Sequence, residues 1–241
     1  MATHGTNKKD FTPKIVGSFG SPTDLKLPVP PQFSSICDLV EIRLDRLALT
    51  QPHPNPKSWS HWKLSPLLFT ARIQNEGGAL NLNAKDRIAL LEIALPDAAY
   101  IDIEVASITE MSHFIQELNQ AKLPWIASFH DFVRLPTYEE LWRALNLAAE
   151  AGACVFKVAA MLQTPTDLAN LAEFQLTTHS LPVATMGMGK LAPVSRLLCA
   201  QAGSVLNYGY LGHTPTAPGQ WPCELLSRTL KTLPDLISNT P

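Results

Sequence analysis

The stretch Val40-Glu-Ile-Arg-Leu-Asp45 places charged and apolar residues at alternate positions. Alternate side chains of a β-strand point to opposite faces, so Glu41, Arg43 and Asp45 share one face. In a barrel surrounded by helices, the apolar face packs outward and the charges point inward, where an unpaired charge is costly. The solvated face of an antiparallel edge strand would give the same alternation, so the stretch alone leaves both interpretations open.

Short apolar runs of strand length and composition recur on both sides of this stretch, at 14–19, 66–72, 100–105, 124–130, 153–158, 182–187 and 204–208. Segments with helical periodicity lie between them, most clearly at 84–95, 137–149 and 166–174. The second of these opens with a Thr137-x-x-Glu140 capping box. In 84–95 the apolar residues Ile88, Leu91 and Leu95 are predicted to share a face.

Eight strands that alternate with helices predict an α/β fold, a single (β/α)₈ TIM barrel, better than an open doubly wound sheet. The barrel is predicted to occupy the whole chain, 1–241, with a polar N-terminal extension at 1–12. The proline-rich segment 22–36 and the polar segment 51–64 give only weak signals for regular structure.

Composition excludes several classes of function. The chain has 19 Lys and Arg against 21 Asp and Glu, so no cationic excess indicates a nucleic-acid partner. No apolar window is long enough to span a membrane. The four cysteines, Cys37, Cys154, Cys199 and Cys223, are far apart and indicate neither a disulfide framework nor a zinc site. These features predict a cytoplasmic protein without a metal site.

Two side chains suggest covalent chemistry. Lys157 stands alone in an apolar strand, and His130 ends the neighbouring strand, where barrel active sites are formed. A buried lysine that loses its proton can form an imine with a ketone, and a histidine can move protons beside it. We expect Arg43, Arg72 and Arg196 to supply the positive charge that favours loss of the lysine proton. This chemistry alone does not choose among aldol cleavage, elimination and isomerisation.

Several short motifs occur in a characteristic order: Glu41-Ile-Arg-Leu-Asp45, Phe69-Thr-Ala-Arg72, Glu76-Gly-Gly78, Ser128-Phe-His-Asp-Phe132, Phe156-Lys-Val158, Thr185-Met-Gly-Met188, Ser195-Arg196 and Ala217-Pro-Gly-Gln220. Each is weak alone, but together they closely resemble the type I 3-dehydroquinate dehydratases of the shikimate pathway. The resemblance runs from about Pro13 to the C-terminal helix.

The resemblance implies a role for each matching residue. Lys157 would condense with the C3 ketone of 3-dehydroquinate, and His130 would remove a C2 proton and return a proton to the departing C1 hydroxyl. Glu76 would orient His130, and Arg196 would bind the substrate carboxylate. The product would be 3-dehydroshikimate, an intermediate of chorismate and aromatic amino-acid biosynthesis. No metal or organic cofactor would be required, because the lysine provides the electron sink.

The remaining matches imply contacts with the substrate hydroxyls and a lid, through Glu41, Arg43, Arg72, Ser18, Thr216 and Gln220. Thr216 stands where the family commonly has a serine, so the hydroxyl is kept and a methyl is added. The alternatives are a class I aldolase, which would share the imine and the barrel, and a noncatalytic barrel that binds a polyol acid. The sequence is also compatible with a homodimer.

Overall fold

The computed structural model describes residues 13–233, so the predicted extension at 1–12 lies outside the described residues. Within that range the chain alternates strands and helices. The strands are β1 (Lys14–Phe19), β2 (Leu39–Arg43), β3 (Leu67–Thr70), β4 (Ala98–Glu104), β5 (Trp125–Asp131), β6 (Val155–Met161), β7 (Val183–Met188) and β8 (Leu206–Leu211).

One α-helix follows each strand. The helices are α1 (Phe33–Ile36), α2 (Leu44–Leu47), α3 (Ala84–Ala94), α4 (Ser112–Gln120), α5 (Tyr138–Ala151), α6 (Pro165–Leu176), α7 (Ala192–Gln201) and α8 (Cys223–Leu230). The capping box that the sequence predicts is present at the start of α5, where Thr137 and Glu140 satisfy each other's backbone N–H groups.

The strands form one parallel sheet in the order β7-β6-β5-β4-β3-β2-β1-β8. The two ends of this order meet where the N–H of Val205 donates to the carbonyl oxygen of Val183 at 3.1 Å. A sheet that curves until its first and last strands meet, with helices outside, is the (β/α)₈ barrel that the sequence predicts. The fold prediction is confirmed.

The barrel interior is filled in layers. At the N-terminal end, Val16, Leu39, Leu68, Ile126 and Val155 are fully buried and belong to one apolar cluster inside the barrel. The next inward-facing position on each strand is two residues further along, and there the side chains become polar. The apolar layer closes the floor, so the cavity above it opens only toward the C-terminal ends of the strands.

The segment 51–64, which gave no clear sequence signal, contains 3₁₀ turns rather than a full helix. Two buried indoles anchor it: the ring of Trp59 packs edge-on against Phe69, and that of Trp62 packs against Phe19 and Phe33. Aromatic burial therefore replaces helical amphipathicity as the stabilising interaction in this segment.

Helix α3 packs the predicted face against the core, with Leu91 fully buried and Ile88 and Leu95 partly buried. The buried residues of the helix also include Arg87, Leu90 and Ala94, which the sequence did not single out. Arg87 is buried because its guanidinium donates to buried acceptors, including the carbonyl oxygen of Ala71 at 2.7 Å. A buried, fully paired arginine thus widens the buried face beyond the apolar residues.

Gly209 and Gly17 are partners in the β1–β8 register, and their surroundings predict that alanine at the two positions has different effects on stability. A Cβ on Gly209 would lie 2.5 Å from the Cα of Cys223 in α8, whereas one on Gly17 would meet the side chain of Leu211, which can rotate away. We expect Gly209→Ala to lower the free energy of unfolding by about 1–3 kcal/mol. Gly17→Ala is the matched control, and urea unfolding measures both. An equal or larger loss in Gly17→Ala would contradict this account.

Candidate active site

The polar side chains meet in a cavity at the C-terminal ends of the strands, which we call the central cavity. Nine residues singled out from the sequence line it: Glu41, Arg43, Arg72, Glu76, His130, Lys157, Arg196, Thr216 and Gln220. The tenth, Ser18, is fully buried beneath the cavity and donates its hydroxyl hydrogen to Glu41 Oε2.

Lys157 lies on β6 and is 3% exposed. Its Nζ donates to Asp102 Oδ2 at 2.6 Å and lies 4.6 Å from the centre of the Tyr208 ring. A carboxylate and an aromatic face both favour a positive charge on this nitrogen. Arg43, Arg72 and Arg196, which we expected to supply positive charge near the lysine, line the same cavity, but the charged group in contact with Nζ is the Asp102 carboxylate.

Both carboxylate oxygens of Asp102, on β4, have hydrogen-bonding partners. Its Oδ1 accepts from Ser128 Oγ at 2.6 Å and lies 2.9 Å from Arg72 Nη1. Burial alone would raise the pKa of Asp102, but Arg72 and Lys157 together hold that pKa well below its usual range. The group is therefore a fixed negative charge at all physiological pH values. Arg72 also donates to Glu104 Oε1 at 3.0 Å, so two carboxylates neutralise this arginine.

His130, at the end of β5, is oriented by Glu76 from the loop after β3. Glu76 Oε2 accepts from the backbone N–H of His130 at 2.9 Å and lies 2.8 Å from its Nδ1. Because this oxygen already acts as an acceptor, the simplest assignment places a hydrogen on Nδ1 as a second donor. Nε2 then keeps its lone pair, which is the form a general base requires.

Burial and nearby cations set the protonation of this pair. Burial, with Arg72 and Lys157 close by, lowers the pKa of His130 well below its ordinary value. Burial raises the pKa of Glu76 to about 8, although Arg72 opposes the shift. Both shifts disfavour charge, so the imidazole is neutral at neutral pH.

Glu41 and Arg43 of β2 line the central cavity and are each held by a partner. Glu41 Oε1 accepts from Thr70 Oγ1 at 2.9 Å, while its Oε2 accepts from Ser18. Arg43 makes a bidentate pair with Asp45, with donor–acceptor distances of 2.8 and 2.7 Å. Asp45 lies in the first turn of α2 rather than on the strand, so the pair bridges the end of β2. Both charged groups are thereby presented in fixed positions.

Arg196 differs from the other two arginines of the cavity. It comes from α7, and its Nη1 donates to the Tyr208 carbonyl oxygen at 2.8 Å. Within residues 13–233 its buried Nε has no hydrogen-bond partner and no carboxylate forms an ion pair with it. Burial without a counter-charge lowers the pKa of Arg196 to about 10. A buried cation of this kind is a site for an anion.

The loop between β8 and α8 covers the cavity. The backbone N–H and the hydroxyl of Thr216 both donate to Gln220 Oε1, each at 2.7 Å, and Gln220 is 8% exposed. The hydroxyl that threonine shares with serine is therefore used to hold the loop in shape. Gly219 has a φ of +75° and packs so closely that a Cβ would lie 2.5 Å from the carbonyl oxygen of Gly189. Only glycine fits this contact between the loop and the end of β7.

Sequence reasoning did not assign site roles to Asp102 and Tyr208. The alternation of Asp102 with apolar residues was visible, but the identity of its partner depends on which strands are neighbours. Tyr208 lies in an apolar strand, a pattern typical of a core residue, and its ring does pack inside the barrel. Among the described residues, no group of three or more potential ligands could hold a metal ion, and no helix could cross a membrane.

The site geometry predicts the ionisation of His130 without reference to any substrate. Because burial and cations lower its pKa below the ordinary value of about 6.5, the imidazole should stay neutral on acidification until below that pH. Long-range ¹H–¹⁵N NMR of labelled protein, with His130→Ala to assign the signal, measures the ionisation and the tautomer. An imidazolium that persists at pH 7, or a hydrogen on Nε2 rather than Nδ1, would contradict this description.

This chain is similar to known 3-dehydroquinate dehydratases. The 3-dehydroquinate dehydratase of Methanocella arvoryzae is 32% identical over 225 residues, covering 93% of this chain and 98% of that protein. The solved structure of 3-dehydroquinate dehydratase from Enterococcus faecalis superposes with a TM-score of 0.77 at 27% identity, covering 95% of this chain and 97% of the other. For the enzyme from Geobacillus kaustophilus HTA426 the values are 0.78 and 25%, with 91% and 90% covered. The model of the type I 3-dehydroquinase family matches residues 29–236, so this chain belongs to that family.

Proposed function

We propose that this chain dehydrates 3-dehydroquinate to 3-dehydroshikimate through an imine on Lys157. The observation that carries the proposal is the placement of Lys157 and a neutral His130 on the central cavity, beside an arginine that lacks a counter-charge. Family membership supports the substrate and the reaction class, a carbon–oxygen lyase of the shikimate pathway.

The first step joins enzyme and substrate. The Lys157 nitrogen adds to the C3 ketone carbon, and the ketone oxygen leaves as water with two hydrogens from the ammonium. The product is an iminium that keeps one hydrogen and the positive charge on nitrogen. Because this nitrogen is buried, the charge is not dispersed by solvent and attracts electrons strongly from the adjacent carbon.

The second step is elimination. His130 Nε2 removes a C2 proton, and the C–H electrons move toward the iminium nitrogen to give an enamine. The enamine electrons then expel the C1 hydroxyl, which receives the proton from His130 and leaves as water. Hydrolysis of the conjugated iminium releases 3-dehydroshikimate and restores Lys157. Glu76 holds the imidazole in the required tautomer throughout.

The other residues of the cavity position the substrate. Arg196 would bind its carboxylate through the free Nε and the outer edge of the guanidinium. Glu41, Arg43 and Arg72 would contact its hydroxyls. Ser18 would act through Glu41, whose oxygen it holds, and the Thr216–Gln220 pair would close over the ligand. A class I aldolase would share the imine but has no need of the Glu76–His130 pair or of Arg196.

Two further expectations belong with this proposal. The described cysteines are all free, which supports a reducing, cytoplasmic setting. The homodimer stays a prediction, and sedimentation velocity would measure it.

The imine mechanism predicts a stable adduct. Incubation with 3-dehydroquinate and sodium borohydride should add one ligand to the protein irreversibly, and peptide mass spectrometry should locate it on Lys157. His130→Ala should still form the adduct while turnover falls by roughly 100- to 10,000-fold, because the base acts after imine formation. Lys157→Met is the negative control. Unmodified wild-type protein would falsify the mechanism.

The role of Arg196 predicts a change in KM rather than in kcat. Arg196→Met should raise KM by roughly 10- to 150-fold, the effect expected on losing charge-assisted hydrogen bonds to a carboxylate that is bound throughout the reaction. Arg143→Met, on the exposed Arg143–Glu139 pair, is the matched control and should leave both constants unchanged. A fall in kcat at unchanged KM would argue against carboxylate binding here.

A further inference from the structure

We propose that Asp102 is the counter-ion that keeps the imine on Lys157 protonated, a role that rests on the proposed function. Asp102 Oδ2 lies 2.6 Å from Lys157 Nζ, the atom that becomes the imine nitrogen. The carboxylate contacts a reacting atom directly, so it is a catalytic residue rather than a part of the surrounding framework.

The carboxylate is fixed in place before the substrate arrives. It is 1% exposed, and its other oxygen accepts from Ser128 and pairs with Arg72. With both oxygens occupied, the side chain has no freedom to turn away when the ammonium becomes an iminium. The single N–H of the iminium can therefore replace the ammonium N–H as the donor to Oδ2.

Protonation of the imine decides whether the elimination can proceed. A neutral imine is a weak electron acceptor, whereas the iminium accepts the electrons of the C2–H bond. Asp102 stabilises ammonium and iminium alike, so it changes the equilibrium between ammonium plus ketone and iminium plus water very little. At higher pH the cations compete with the neutral amine and the neutral imine, and there the carboxylate favours the cations. The carboxylate therefore extends the pH range of the reactive cation upward.

Asp102 does not act as the acid or base of this step. Arg72 and Lys157 hold the pKa of Asp102 too low for it to keep a proton at neutral pH. The two hydrogens that the Lys157 ammonium must release leave instead with the ketone oxygen as water. On the opposite side of the nitrogen the Tyr208 ring offers a second, weaker stabilisation of the same charge.

The test compares the pH dependence of borohydride trapping in wild type, Asp102→Asn and Asp97→Asn. Asp97 is the matched control, because it also pairs with a lysine at 2.6 Å but at the exposed Lys63. The other ionisable groups around the nitrogen are unchanged in both variants: Glu41, Arg72, Glu76, His130, Tyr208 and Arg196. Thermal melting followed by circular dichroism verifies that each variant is folded.

In Asp102→Asn the alkaline midpoint of adduct formation and of kcat should fall by about one to three pH units, the usual effect of an opposite charge at contact distance. At a pH near the wild-type midpoint this is a loss of adduct of about tenfold or more. Asp97→Asn should keep the wild-type midpoint. An unchanged midpoint in a folded Asp102→Asn variant overturns the counter-ion role. Absence of adduct in wild type at every pH would instead refute the imine mechanism itself.

A second measurement covers the case in which Asp102→Asn does not fold. Wild-type protein labelled with ¹⁵N at lysine Nζ is mixed with the analogue of 3-dehydroquinate that lacks the C1 hydroxyl, which can form the imine but cannot lose water. The nitrogen chemical shift should report a protonated imine up to pH 9. Conversion to a neutral imine below pH 8 would overturn the proposal.

Discussion

A row of five buried ionic side chains of alternating sign, Arg87, Glu104, Arg72, Asp102 and Lys157, runs from α3 through the barrel wall to the cavity. Successive members are paired, with Glu104 to Arg72 at 3.0 Å, Arg72 to Asp102 at 2.9 Å and Asp102 to Lys157 at 2.6 Å. Removing one member of a buried pair typically costs about 3–5 kcal/mol, because it leaves the other charge without compensation. The position of Lys157 is thus tied to the packing of a helix outside the barrel.

This row explains why the lysine can be buried at all. An isolated ammonium inside a barrel would be neutralised by desolvation, but here each cation borders a carboxylate. In the proposed mechanism Asp102 stays beside the same nitrogen after the imine forms, so one ion pair would serve the cation before and after condensation.

The sequence predicted the fold well because period-2 alternation and capping motifs are local signals. It also singled out Lys157 and His130, which the structure places on one cavity, because a lone charge in an apolar strand and a polar residue at a strand end can be recognised from the order of residues alone. It could not identify Asp102 as the partner of Lys157, because β4 and β6 are separated by β5 and meet only across the barrel interior. The burial of Arg87 in α3 was missed for the same reason: its acceptors lie on other elements.

The charges of the cavity also explain why its ligand should be an acid. Arg43 and Arg72 are each neutralised by carboxylates of the protein, and both would be poor anion sites. Arg196 is buried to the same degree, yet within the described part of the chain its contacts are a carbonyl oxygen and the Met186 sulfur. Burying an uncompensated guanidinium destabilises the free protein, and a carboxylate that binds there relieves this cost. A carboxylate ligand would therefore gain affinity from the missing counter-charge at Arg196, and the neutral Glu76–His130 pair would add no charge to oppose it.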